Sequence, residues 1–428
     1  MRATCLTLLA LIALPSVQAE TLDQAWAEAL ASSQVLKSSA QQQRAAAATL
    51  SAAQGARWPS LSVESAYTRL NEAPAVSASL PLPAPLPHEL TLPISDERFH
   101  TRAATVTLPL FTSGRIHYGI EAARAGVAMS DAESQRTAQD VKLAVTEAYF
   151  NVLRARQLRE VARHLVDGMQ RHRHDVEQFY RQGLVAKADL LTIDVALADA
   201  RQKQIQADNA VDLSAAAYNR SLQRPLGQTV ALDDTQLAAD ARSLDELTAL
   251  AQRTRPELAQ LEQARSALSA QARMTRGEDG PQVALIGGYQ HLENPYLKQD
   301  SFRSLSIGVK WNVFDGGVVR HRAAALDAKA EALQAQQDDA RSWIALDVRQ
   351  AYNNQREAQA RLELATSTVA QAEEALRVAR DRYANSLAPQ SEVLDAETRE
   401  ANAQSNYHNA RYDLQLAVVR IRRAVGEL

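Results

Sequence analysis

Two carboxylates three residues apart, Glu392 and Asp395, sit in the stretch "NSLAPQSEVLDAE" (385–397). On a helix that spacing turns both to one side. Crowded like charges attract cations and raise one another's pKa. A solvated helix face fits such a pair as well, so the surrounding chain has to decide. Three histidines, His164, His172 and His174, fall within "RHLVDGMQRHRHDVE" (163–177). Helical geometry sends His172 and His174 to different faces, so solvated helix positions are expected rather than a metal site. No Ser-His-Asp set, phosphate loop or metalloprotease motif accompanies them, and neither an enzyme nor a bound cofactor is expected.

The elements that must carry these groups begin with an export signal. Met1-Arg2 is a short basic start, Leu6 to Leu14 is an apolar stretch, and Val17-Gln18-Ala19 supplies a cleavage pattern before Glu20. Residues 1–19 therefore read as a signal peptide. The one cysteine, Cys5, lies inside it, so an exported chain without disulfides is expected. With 23% charged residues and only 5% aromatics, the rest suits long helices. Acidic and basic residues are interspersed and the net charge is −3, which speaks against nucleic-acid binding. After the signal, no apolar run approaches the roughly 20 residues of a membrane-spanning helix, so any membrane passage must use strands.

The chain repeats itself. A shift of 222 places Leu22-Asp23 on Leu244-Asp245, Pro59 on Pro281 and Tyr67 on Tyr289. From Phe111 onward the shift is 203, placing Phe111 on Phe314, Gly114 on Gly317, Tyr180 on Tyr383, Leu184 on Leu387 and Asp189 on Glu392. The extra length of the first half lies between Tyr67 and Phe111, where the Pro-rich "EAPAVSASLPLPAPLPHELTLP" (72–93) reads as an irregular, extracellular loop. Each half predicts a helical segment (about 22–57 and 244–276), two strands and a proline-free helix of nearly 70 residues, about 100 Å long. In the last strand Leu305, Ile307, Val309, Trp311 and Val313 alternate with Ser304, Ser306, Gly308, Lys310 and Asn312. Four strands cannot close a barrel, and open edges are excluded from lipid. Three chains would supply twelve, so a homotrimer is expected.

The twofold order of helix, strand pair and very long helix, with the turns "RQGLVAKADLL" (181–191) and "NSLAPQSEVLDAE", resembles the TolC family of outer-membrane efflux channels. The resemblance spans the mature chain: a first repeat at 20–225, a linker or equatorial region at 226–243 and a second repeat at 244–428. It implies an α+β membrane protein whose four strands per chain complete a twelve-stranded trimeric barrel in the outer membrane, with a coiled-coil helical tunnel in the periplasm. It also implies a duct recruited by a periplasmic adaptor and an inner-membrane pump of the RND or ABC type. Gly183, Leu184, Val185, Ser386 and Leu387 would then be adaptor contacts at the periplasmic tips. Gly183 would turn the first tip by accepting positive φ, and Asn385 the second. Glu392 and Asp395 match the acidic pore constriction, and Tyr383 and Asp189 match the gate latch. The latch arginine of the family is Ala388 here, leaving Arg382 or Lys187 as substitutes. The rival reading is a periplasmic adaptor or coiled-coil scaffold without a pore, with a secreted enzyme behind it. An adaptor would need one hairpin flanked by compact β modules, and this chain has two hairpins, each preceded by strands.

Overall fold

A computed structural model of the chain describes residues 19–79, 81 and 89–428. The expected signal peptide, Ala19 apart, lies outside the described residues, as do residue 80 and residues 82–88 of the Pro-rich stretch.

The duplication is written into the helix boundaries. The first half carries α1 (Leu22–Ser32), α2 (Gln34–Gly55), α3 (Arg115–Arg181) and α4 (Lys187–Ser221). The second carries α5 (Leu244–Thr254), α6 (Pro256–Arg276), α7 (Val318–Ala384) and α8 (Gln390–Ala424). Both long helices have 67 residues and both returning helices 35, and every one of their ends is displaced by 203. The segments expected as single helices at 22–57 and 244–276 are each broken once, at equivalent positions. Ser33 leaves the helical region at ψ 122, and its side chain accepts from Leu36 N at 3.3 Å to start α2. Arg255 does the same at ψ 121 because Pro256 follows it and disfavours helical geometry.

Among the described residues six strands form two sheets. β1 (Ser60–Arg69), β4 (Arg98–Phe111), β5 (Gln282–Leu292) and β6 (Ser301–Lys310) make one antiparallel sheet in the order β1-β4-β5-β6. β2 (Ala75–Ser79) and β3 (Glu89–Pro93) make a second, two-stranded one. Two sequence expectations are corrected here. The flanks of the Pro-rich stretch are a paired hairpin, with Ala75 opposite Pro93, rather than an irregular loop. The last strand stops at Lys310, opposite Gln282 where β5 begins, so Trp311 to Val313 lie beyond the partner that would hold them.

The register of the larger sheet sorts its side chains by face. Leu61 stands opposite Val106, Val106 opposite Gly287 and Gly287 opposite Leu305. That face also carries Val63, Tyr67, Ile307 and Val309, all exposed. The opposite face carries Ser60, Ser62, Thr105, Thr107, Ser304 and Ser306 on the same ladders. An apolar face left bare on a sheet is the pattern of strands that meet lipid. Among the described residues no helix is long and apolar enough to cross a membrane.

The chain divides into two compact units, each drawn from both repeats. One comprises the described residues of 40–133 together with 257–339 and holds the four-stranded sheet. The other comprises 19–39, 134–256 and 340–428. In the latter, Leu22, Tyr149, Phe150, Tyr218, Val230 and Tyr412 share one core. The linker 226–243 enters it as an extended chain: Glu20 N donates to Ala231 O at 2.8 Å and Asp233 N to Glu20 O at 2.9 Å. Arg224 holds Glu20 at 2.9 Å and also pairs with Glu28.

Candidate functional site

Both helix-turn-helix tips are built the same way. Gly183 N donates to Tyr180 O and Leu184 N to Phe179 O, each at 2.9 Å. Ser386 N donates to Tyr383 O at 2.9 Å and Leu387 N to Arg382 O at 2.8 Å. This pair of bonds caps a helix C-terminus around one left-handed residue. That residue is Gly183 at φ 74 in the first tip and Ser386 at φ 60 in the second. Asn385, expected in the role, lacks a positive φ and closes the last turn of α7, its N donating to Asp381 O at 3.2 Å and its Nδ2 to the same oxygen at 2.8 Å. The register of the repeat outweighs the preference of asparagine for that conformation, because Ser386 is the position equivalent to Gly183. The residue after each turn is an exposed leucine, Leu184 at 66% and Leu387 at 70%. Val185 is half-buried against the adjoining core.

The two returning helices begin differently, and the difference decides what their acids do. Asp189 turns back on its own helix, accepting from Ala186 N at 3.1 Å. The equivalent of Ala186 is Pro389, which has no N–H to offer. Glu392, the equivalent of Asp189, is thereby free to reach across its turn, where Arg382 Nη1 donates to its Oε1 at 2.5 Å. Asp395 is exposed and has no hydrogen-bond or ion-pair partner among the described residues. The acidic pair thus consists of one neutralised and one bare carboxylate. Arg382 is committed to Glu392, and Lys187 is exposed.

The proposed latch residues approach without bonding. Tyr383 is 9% exposed, whereas its equivalent Tyr180 is 40% exposed. The Tyr383 hydroxyl has no hydrogen-bond partner among the described residues. Burial pushes its pKa up, and the charges of Asp189 and Asp175 push the same way. The tips are joined instead by Gln390, whose Nε2 donates to Asp189 O at 3.0 Å.

Sequence reasoning missed the packing beneath Tyr383. His172 is buried, 5% exposed, rather than solvated, with its ring centroid 5.0 Å from that of Tyr383. Burial lowers its pKa to about 4, opposed by Asp175 and aided by Arg380. Its Nε2 has no partner among the described residues. His164 and His174 are exposed. Glu397, also buried, pairs with Arg380 at 2.5 Å. A Cβ at Gly168 would lie 2.5 Å from Glu397 Oε2, so this mid-helix glycine makes room for the ion pair. Gly168 was the available signal, since a glycine inside a long helix needs a packing reason. Among the described residues no group of three or more potential ligands could hold a metal ion.

Long paired helices, a sheet with one bare apolar face and two capped helical tips define an outer-membrane channel fold. The profile of the family described as "Outer membrane efflux protein" matches residues 26–222 and 247–427, and the chain belongs to that family. It is 27% identical to the outer membrane protein TolC of Vibrio cholerae over 314 residues, 70% of each chain. It is 26% identical to the protein CyaE of Bordetella pertussis over 338 residues, 77% of this chain and 71% of CyaE. In fold it is similar to the outer-membrane channel OprN, with a TM-score of 0.78 at 20% identity, covering 95% of this chain and 90% of that one. The protein is an outer-membrane efflux channel with its helical part in the periplasm, of a family of channels rather than enzymes.

Proposed function

We propose that the chain forms, as a homotrimer, the exit duct of a tripartite pump, opened at its periplasmic tips by an adaptor. The observation that carries this reading is the pair of matched tips. Each has a left-handed turn followed by an exposed leucine at a repeat-equivalent position, so two matched apolar side chains stand on turns that the Gln390–Asp189 bond joins. Leu184 and Leu387 are the docking knobs for an apolar stripe on an adaptor hairpin, and Gly183, Val185 and Ser386 shape the surface around them. Glu392 and Asp395 form the cation-attracting constriction on the returning helix, with Asp395 supplying its unpaired charge. The gate rests on Gln390 and Asp189, which join the two tips, and on Tyr383 packed beneath them. Opening separates these contacts. The partner pump is of the RND or ABC type, and the cargo is a small molecule or a secreted polypeptide. The bare ladders at both sheet edges favour the trimer, because lipid excludes open edges.

Photo-crosslinkers placed at Leu184 and Leu387 in intact cells test the docking surface. Capture of a periplasmic adaptor from both positions is the expected result. Capture from neither position, in a strain that still exports through the channel, contradicts it.

A further inference from the structure

The sheet offers two unpaired edges, β1 and β6. The chain itself contains the geometry of one repeat meeting the next, where the end of β4 and its following turn meet the start of β5. Thr107 stands opposite Ile286, Leu108 opposite Leu285 and, past a bulge, Phe111 opposite Val283. The turn after β4 then seats on the corner before β5. Ser113 Oγ donates to Pro281 O at 2.8 Å, and a Cβ at Gly277 would lie 2.7 Å from Ser113 O. A Cβ at Gly280 would collide with the Ser113 side chain.

Carried through the two repeat shifts, β4 becomes β6 and β5 becomes β1. The turn at Ser113 becomes Gly316, and the corner at Gly277–Pro281 becomes Gly55–Pro59. We propose that β6 and its following turn in one copy pair with β1 and its preceding corner in the next, in this internal register, placing Lys310 opposite Glu64. The proposal rests on the trimer reading above and adds the register and the residues that fix it.

Three observations fit it. Glu64 is the one charged residue on the polar face of β1, and Lys310 the one on that face of β6. Neither has an ion-pair partner among the described residues, and the register makes them a cross-strand pair of opposite charge. At the corner contact the side chain and the bare glycine exchange places. Inside the chain a serine meets a glycine, Ser113 on Gly280; between copies a glycine, Gly316, meets Trp58. Trp58 is exposed in the single chain, and a Cβ at Gly316 or at Gly55 would meet nothing within 4 Å. Finally, Trp311 to Val313 continue the alternation of β6 yet have no strand partner, and Phe314 is 87% exposed. Their equivalents Leu108 to Phe111 are strand because β5 holds them. In the proposed register Val63 and Leu61 of the next copy hold Trp311 and Phe314, and β6 lengthens on assembly.

Disulfide trapping tests the register, because a bridge needs Cβ atoms roughly 3.5–4.5 Å apart and a slip of two residues exceeds that reach. In a Cys5→Ser background of the full chain, which then has no native cysteine, Glu64→Cys/Lys310→Cys is compared with Ala66→Cys/Lys310→Cys and Ser62→Cys/Lys310→Cys. Membranes are oxidised with copper phenanthroline and run on gels, heated and unheated. The expected result is a covalent trimer ladder from the 64/310 pair alone. Unheated trimers with a ladder from another pair, or from none, overturn the register and leave the trimer standing. Chains that reach the outer membrane and run as monomers when unheated overturn both. A charge exchange covers variants that assemble poorly. Glu64→Lys lowers the temperature at which the trimer dissociates, and Glu64→Lys/Lys310→Glu restores it; no recovery in the double variant counts against the pair.

Discussion

Arg382 and Glu392 close a 2.5 Å ion pair across the second tip, while the equivalent acid of the first tip, Asp189, caps its own helix. The cause is Pro389 in place of Ala186, which removes the N–H that the acid would otherwise accept from. The pair is close to half exposed, so it contributes only about 0.2–1 kcal/mol to stability. Its larger effect is on charge. Arg382→Ala uncovers Glu392 and adds one negative charge per chain at the tip. The variant is expected to fold normally and to show a greater cation preference in reversal-potential measurements across a salt gradient. Unchanged selectivity would place Glu392 away from the ion path.

The left-handed residues make opposite predictions in the two tips. Gly183 has nothing within 4 Å of its Cβ position, so Gly183→Ala carries only the backbone penalty of positive φ, about 1 kcal/mol. Ser386→Gly relieves the same penalty and is expected to stabilise the second tip by up to about 1 kcal/mol. Hydrogen exchange of the amides of Leu184 and Leu387 reports both effects, faster in the first variant and slower in the second.

His172 makes the tip acid-sensitive. Its folded pKa is depressed from 6.5 to about 4 by burial. The unfolded chain therefore binds the proton first as pH falls. The stability from keeping His172 neutral is present above about pH 6.5 and is lost on going down to about pH 4, amounting to roughly 3 kcal/mol per chain. His172→Phe removes this dependence. Thermal unfolding between pH 7 and 4.5 is expected to show a steeper fall of Tm in the parent than in the variant; parallel curves would contradict the assignment.

Gly168→Ala drives a methyl group into the Glu397–Arg380 pair. The expected loss is about 2–4 kcal/mol, from overpacking and from disturbing a buried charge. Thermal unfolding measures it, and an unchanged Tm in Gly168→Ala would contradict the packing described.

How far the sequence alone reached depends on which signal each feature left. Repeat shifts locate helix ends well: Arg115 and Val318, or Arg181 and Ala384, are fixed by one number. The same shift pointed to Ser386 as the left-handed residue, but residue-type preference favoured its neighbour Asn385. The strand through Val313 failed for another reason, since alternation records which face a side chain takes and says nothing about whether a neighbouring strand is there to pair. Burial of His172 left no local pattern either. In helices packed along most of their length, polar positions are covered by residues far away in sequence, here Tyr383. The bond between Gln390 and the Asp189 carbonyl is equally non-local, joining residues 201 apart.

Ion selectivity of the purified channel in planar bilayers tests the central claim most directly, namely that the second tip carries the acidic constriction of an export duct. Parent channels are expected to prefer cations and to be blocked by divalent cations added at the periplasmic side. Glu392→Gln/Asp395→Asn is expected to lose both properties while the channel still inserts and conducts. Unaltered selectivity and block in that variant would contradict the account.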